Sequence, residues 1–214
     1  MGALAAWVSS HTDILARTAW EHLVLSGVSL AIVVAVAIPL GIALARRGRA
    51  SGPVVALVNT LRTIPSLALL VVMMPVLGTG MAPSIVALAL YGLPAVLLNT
   101  MSGLAGIDRD VLDAARGQGL SEPQILARIE LPLAAPVILA GIRSAAVQIV
   151  SAATLAVFIG GGGFGELISA GMGLLDIPQL VIGALAVAMM AGTVEIGFGW
   201  AERGASRRLG LRTA

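Results

Sequence analysis

Uncharged apolar runs of roughly membrane-crossing length recur along the 214 residues, separated by short polar or charged clusters. A helix that crosses a bilayer needs ~20 consecutive apolar residues. Leu23–Ala45 is the first such run and ends at Arg46, Arg47 and Arg49. Thr63–Ile107 is also uncharged but too long for one crossing, and the turn-forming Gly78–Pro83 ("GTGMAP") divides it. The second predicted span is therefore Pro53–Leu77, with Arg62 inside it, and the third is Pro83–Leu104. Ala135–Ile159, with Arg143, and Ile177–Trp200, with Glu195 near its end, complete a set of five. Pro39, Pro65, Pro75 and Pro94 fall inside spans, where each removes a backbone donor and favours a kink. Residues 1–22 mix apolar positions with Ser9, Ser10, His11, Asp13, Arg17 and Glu21 and predict a short amphipathic surface helix. The spans and their loops then occupy 23–204, and residues 205–214 form a tail.

Composition agrees with that pattern. Hydrophobic residues make up 58% and charged residues 11%, against about 25% charged in a soluble domain. The chain is read as an all-α integral membrane protein, because lipid offers nothing to solvate charge. Cysteine is absent, which excludes disulfides and thiolate metal sites. The first 22 residues lack a basic stretch before an apolar core, so no cleaved signal peptide is read there. His11 and His22 have no ligand partners in the sequence and are read as structural rather than metal-binding. All the basic residues are Arg, and they are unevenly placed. Arg46, Arg47, Arg49, Arg109, Arg116, Arg128, Arg203, Arg207, Arg208 and Arg212 fall on one side of the predicted membrane, and only Arg17 on the other. The excess of basic residues predicts a cytoplasmic face, with the N-terminus outside and the C-terminus in the cytoplasm.

One segment between spans three and four, about 105–134, reads as soluble protein. Asp108 can cap a helix that has Asp110 in its first turn and Arg116 in its last. Gly117 and Gly119 end that helix, and Ser121 with Gln124 forms a capping box for a second one. Ile125, Leu126 and Ile129 give the second helix an apolar stripe before "LPLAAP" stops it. A solvated loop and a docking element for a soluble partner both fit this helix–Gly–helix pattern. A DNA-binding helix-turn-helix fits poorly, since Asp108–Pro132 carries five acids against three Arg; no nucleic-acid partner is expected.

The segment resembles the signature loop of ABC importer permeases: Glu-Ala-Ala, three residues, Gly, nine residues, Ile, one residue, Leu-Pro. Asp113-Ala114-Ala115, Gly119, Ile129 and Leu131-Pro132 reproduce the spacing, with Asp for Glu as the one departure. The resemblance extends to "EHLVLSGVSLAIVVAVAIPLGIALAR", "RTIPSLALL", "ELPLAAPVILAGIRSAAV" and "LAVFIGGGGFGELI", which look like the osmoprotectant importer permeases. It implies a five-helix permease subunit in a bacterial cytoplasmic membrane, importing glycine betaine, choline or carnitine. Methionine-type and other amino-acid importers share the design and form the alternative. It also implies separate ATPase subunits that bind ATP and Mg, a second permease copy, identical or related, and an extracytoplasmic solute-binding protein. The coupling loop would receive the ATPase. A phosphate loop of the GxxxxGK[ST] type needs Lys, which this chain lacks, so the chain is not expected to be the ATPase. No His/Asp/Glu cluster, Ser–His pair or metal spacing lies in the spans, so no other enzyme and no bound cofactor are expected.

Polar residues inside the spans are candidates for a translocation path. Ser144, Gln148 and Ser151 recur on one helical face, joined by Tyr91 and Asn99 from span three and Thr63 and Ser66 from span two. Back-bonding to helix carbonyls or interhelical packing is the competing reading for each. Arg62, Arg143 and Glu195 lie at similar depth, ~15, ~10 and ~12 Å from the cytoplasmic ends. Either Glu195 pairs with Arg143 or Arg62 as a structural or gating lock, or each snorkels alone. The aromatics are scattered and only Tyr91 is mid-span, so no cation-binding cage is apparent. Gly160–Gly163 reads as a flexible outer turn or a plain connector. Ala152, Ala156 and Gly160, and Ala184, Ala188 and Gly192, form two small-residue seams.

Overall fold

The computed structural model describes residues 2–48 and 52–208, the last without its side chain; Arg49, Arg212 and the tail residues 209–214 lie outside it. The described residues form helices and connecting turns. In order they are α1 (Gly2–Ser10), α2 (Thr12–Arg46), α3 (Gly52–Leu61), α4 (Ser66–Leu77), α5 (Met81–Ala105), α6 (Arg109–Gly117), α7 (Glu122–Ile125), α8 (Leu131–Ala152), α9 (Gly165–Leu174) and α10 (Ile177–Arg208). A π-helical turn, Leu126–Glu130, joins α7 to α8, and a 3₁₀ segment, Ala153–Ile159, extends α8.

Four helical stretches are long and apolar enough to cross a membrane, and the bent pair α3–α4 makes a fifth crossing if taken as one span. The N-terminal region departs from expectation. The chain breaks at His11, and residues 12–22 continue into the first spanning helix. At ~1.5 Å per residue, the 35 residues of α2 exceed a ~30 Å hydrocarbon core, so the helix tilts or projects beyond it.

The second span is broken. The axes of α3 and α4 differ by 99° across residues 62–65, which places Arg62 at a corner rather than inside a continuous helix. Pro65 explains the corner: it disfavours the α conformation at Ile64 and lacks the donor to continue the ladder. Pro39, Pro75 and Pro94 lie within helices that remain assigned through them.

The core is formed where α2, α5 and α8 meet. Leu25, Val33, Val96, Leu97, Ala145 and Ile149 are fully buried there. These helices approach closely because small residues stand at the crossings. A Cβ on Gly92 would lie 2.6 Å from the Ile149 side chain, and one on Gly141 would lie 2.5 Å from the Asn99 Cβ. Against lipid, such packing replaces the hydrophobic drive that holds soluble bundles together. Of the two seams, Ala152 and Ala156 are buried, whereas Ala184 and Ala188 are exposed on α10.

"LPLAAP" does not end a helix, contrary to expectation. Helical structure runs from Glu122 to Ile159 through Leu131 and Pro132. Pro132 lacks an N–H and its ring would press on the carbonyl four residues back. The wider π turn fits one more residue before it, with the Leu131 N–H bonding the Leu126 carbonyl.

The glycine stretch, read as a flexible turn or a plain connector, is tightly packed. Gly161 to Gly165 are buried, and Gly160, Gly162 and Gly163 have φ of +77°, +81° and +84°, a region L side chains rarely enter. The Gly80 N–H bonds the Ile159 carbonyl at 2.6 Å, which ties the glycine stretch to the turn before α5.

Candidate functional site

Two sites are built on α8, one at each end. At its first end stand α6 and α7. The Asp108 carboxylate accepts from the Asp110 N–H at 2.9 Å and starts α6. Gly119, at φ +82°, turns the chain, and the Gln124 side-chain oxygen accepts from the Ser121 N–H at 2.9 Å to start α7. Ile125 is fully buried and Ala115 nearly so, which seats the two short helices on the ends of the spans.

Exposed and half-buried charges fasten this module. Arg116 reaches Asp113 at 2.8 Å and Glu122 at 2.9 Å, and Arg46 at the end of α2 reaches Glu130 at 3.1 Å. The hydrogen bond from Arg116 holds the Glu122 carboxyl below its ordinary range. A cavity of about 540 Å³ opens between module and spans, lined by Arg46, Leu104, Arg109, Leu112, Arg116 and Glu130. Of the predicted loop residues, Asp113, Ala114 and Gly119 are exposed, Ile129, Leu131 and Pro132 half-buried, and Ala115 buried. The signature thus presents one exposed face and one face turned to the spans. The Arg46–Glu130 pair was not read from the sequence; its partners are 84 residues apart and no short-range pattern links them.

Toward its other end, α8 carries the polar stripe. Ser66, Tyr91, Gln148 and Ser151 line one cleft of about 350 Å³ together with Thr154. Thr154 was missed, although it extends the stripe by three residues. The remaining candidates lie outside the cleft lining. The Thr63 hydroxyl donates to the Thr60 carbonyl at 2.7 Å, beside the corner. Asn99 donates to the Ala95 carbonyl at 2.8 Å and packs against Gly141. Ser144 accepts from Gln148 Nε2 at 2.9 Å, and Ser144 and Ser151 are both exposed on the chain.

Of the three membrane charges, Arg143 and Glu195 are brought together. Arg143 Nε lies 3.7 Å from Glu195 and Nη1 lies 3.1 Å from Glu202, so one guanidinium bridges two carboxylates of α10. The Glu202 contact is an ion pair without a directed hydrogen bond. Glu202, two helical turns beyond Glu195, was not picked out from the sequence. No ion pair involving Arg62 is found among the described residues.

The end of α8 beyond the cleft is held by α2. Glu21 Oε2 accepts from the Gly163 N–H at 2.9 Å, and His22, fully buried, accepts from the Phe164 N–H at Nδ1, 3.3 Å. His22 Nε2 donates to the Val150 carbonyl at 3.0 Å, which fixes the tautomer. Arg17 bridges Glu21 at 2.8 Å and Glu166 at 2.7 Å. Among the described residues, no three His, Cys, Asp or Glu gather as a metal centre would require.

Residues 37–209 match the family described as binding-protein-dependent transport system inner membrane component. The chain is similar to the choline transport system permease protein OpuBB of Bacillus subtilis (strain 168), 39% identical over 191 residues, covering 89% of this chain and 88% of that one. The carnitine transport permease protein OpuCB of Listeria monocytogenes is 37% identical over 202 residues, covering 94% and 93%. The osmoprotectant import permease protein OsmY of Salmonella typhimurium is 39% identical over 186 residues, covering 86% and 78%. Among solved structures, an inward-facing MetNI methionine ABC transporter chain superposes with a TM-score of 0.80 at 22% identity, covering 91% of this chain and 97% of that one, and supports the fold.

Proposed function

Because the chain belongs to the family of binding-protein-dependent transport system inner membrane components, we propose that it is the permease subunit of an ATP-driven importer of osmoprotectants such as glycine betaine, choline or carnitine. The observation that carries this reading is the module Asp113–Pro132. It is charged, only half-embedded, and continuous with the helix that lines the polar cleft. A soluble ATPase subunit, holding ATP and Mg, docks on its exposed face, and the movement passes along α8 as through a rigid rod. The substrate class rests on the choline, carnitine and osmoprotectant names of relatives that are 37–39% identical.

The basic end is the cytoplasmic one, and the end with α1, α9 and the glycine stretch faces outward, toward a solute-binding protein. Ser144 and Ser151 are exposed on α8, and Val71, Val72 and Val76 are exposed on α4. Hydroxyls gain nothing from lipid, so a second permease copy, identical or related, covers this face and the cleft becomes part of the path. Arg143, Glu195 and Glu202 form the lock that joins α8 to α10 as the rod moves.

The test is uptake by proteoliposomes holding this chain, its second copy, its ATPase and its binding protein, with and without ATP. Glycine betaine, choline, carnitine and methionine are compared. ATP-dependent uptake of a quaternary ammonium compound is the expected result. Uptake of methionine alone overturns the substrate class and keeps the mechanism. Uptake that persists without the ATPase marks a passive channel, and turnover of a substrate marks an enzyme.

A further inference from the structure

The outward end of the cleft is shaped by a buried contact chain that starts on α2. Ser151 and Thr154 stand where α8 tightens into its 3₁₀ segment, and the Thr154 hydroxyl donates to the Ser151 carbonyl at 2.7 Å. One residue before this point, the Val150 carbonyl accepts a hydrogen bond from the His22 Nε2–H. Behind it, a Cβ on Gly165 would overlap the Thr154 carbonyl oxygen, so the start of α9 lies directly against the cleft-lining backbone. Gly163 and Phe164, which deliver Gly165 to that place, give their N–H groups to Glu21 and His22. The His22 and Phe164 rings lie 5.0 Å apart and close the gap between them.

We infer that Glu21 and His22 are positioning residues for the cleft: two neighbouring side chains of α2 that set where the backbone of Ser151 and Thr154 stands. Neither touches the cleft. His22 holds both walls of the junction at once, accepting from the glycine stretch and donating to α8. Glu21 does two separable things, since Oε2 accepts from Gly163 while Oε1 meets Arg17. The hydrogen bonds are the positioning element, because they reach buried backbone groups whose partners cannot be replaced by water. The exposed Arg17 pairs are secondary.

The chain has no cysteine, so Thr154→Cys gives a single reporter thiol. Its reaction with a membrane-impermeant maleimide, applied from the outward side of native membranes, reads the cleft without any assumption about the solute. His22→Phe keeps the ring and loses both hydrogen bonds; it is expected to change the labelling rate at least fivefold. His22→Asn keeps an acceptor near Nδ1 and should lie closer to the parent. Glu21→Gln keeps an acceptor for Gly163 and should match the parent, whereas Glu21→Ala should follow His22→Phe. ATP-driven uptake by the same variants, without the reporter, should show a raised half-saturation for the loaded binding protein, with maximal rate falling less. The inference relies on the proposed transport function only for this second readout. Failure of the parent to transport overturns that reading and leaves the labelling pattern as its own test. Labelling within twofold of the parent for His22→Phe and Glu21→Ala, at parental membrane levels, overturns the positioning role. A Glu21→Gln variant that behaves as Glu21→Ala assigns the effect to the Arg17 charges instead.

Discussion

The two ends of α8 are held by opposite means. At the end with the charged module, ion pairs border a cavity of about 540 Å³: Arg116 with Asp113 and Glu122, all exposed, and Arg46 with the half-buried Glu130. At the other end, backbone groups are held by the buried His22, the partly buried Glu21 and glycines that leave no room for a methyl group. Exposed ion pairs are weak, screened by salt and easily exchanged. Buried hydrogen bonds and close-packed backbone are neither. A helix fastened this way can have its module end displaced by a partner while its far end stays indexed to α2.

That contrast can be broken by substitution, and Gly165→Ala should have the largest effect. The new methyl group meets the Thr154 carbonyl, and overpacking of this kind costs about 3 kcal/mol. Thermal unfolding in detergent should fall accordingly, and membrane levels with it. A Gly165→Ala chain as stable as the parent would show that the far end can give way.

Arg143→Gln comes next, because it leaves Glu195 and Glu202 facing each other on α10. A loss of about 2 kcal/mol is expected, discounted from a fully buried pair because the guanidinium is partly exposed. The swap Arg143→Glu with Glu202→Arg should recover part of it; no recovery argues for snorkelling rather than a lock.

Gly119→Ala is the matched control for Gly165→Ala. Nothing lies within 4 Å of a Cβ there, so only the positive φ resists, at about 1 kcal/mol. Equal losses for the two glycines would dissolve the distinction between the ends.

Arg116→Ala should be the mildest, with no measurable change in global unfolding at neutral pH. Its signature is in acid. Arg116 lowers the Glu122 carboxyl below its ordinary value, so the pair contributes above the ordinary carboxylate range and is lost as pH falls through the lowered value. Hydrogen exchange of the α6–α7 amides should show that acid-range slope in the parent and lose it in Arg116→Ala.

Much of this architecture was legible in the sequence. Apolar run length and turn residues locate the spans, because both reflect local physics, and the helix–Gly–helix module follows from its caps. Pro65 was weighed as one kink among four, yet it alone coincides with a corner; nothing local distinguishes it from Pro39, which a long, well-supported helix absorbs. The stop read at "LPLAAP" failed because a π turn can accommodate a proline that an α-helix cannot. At Gly160–Gly163 composition left a flexible turn and a plain connector equally open. Glycine signals freedom in the unfolded chain, but here it marks backbone pressed against backbone, a long-range contact that no window of sequence contains. Four of the seven path candidates converge on one cleft, while Asn99 turned to packing because Gly141, 42 positions away, makes room for it.

The π turn at Leu126–Glu130 works as an expansion joint. It holds one residue more than an α turn while completing a single turn, so the helix on either side keeps nearly the same facing. Removing one residue would therefore leave α6 and α7 pointing almost as before, but would bring the Pro132 ring against the carbonyl four residues back. The strain would fall on the joint itself, between the charged module and α8, and not on the contacts within either. One surplus residue thus lets a helix that carries Asp113 and Ala114 at its soluble end run on across a proline into the apolar bundle.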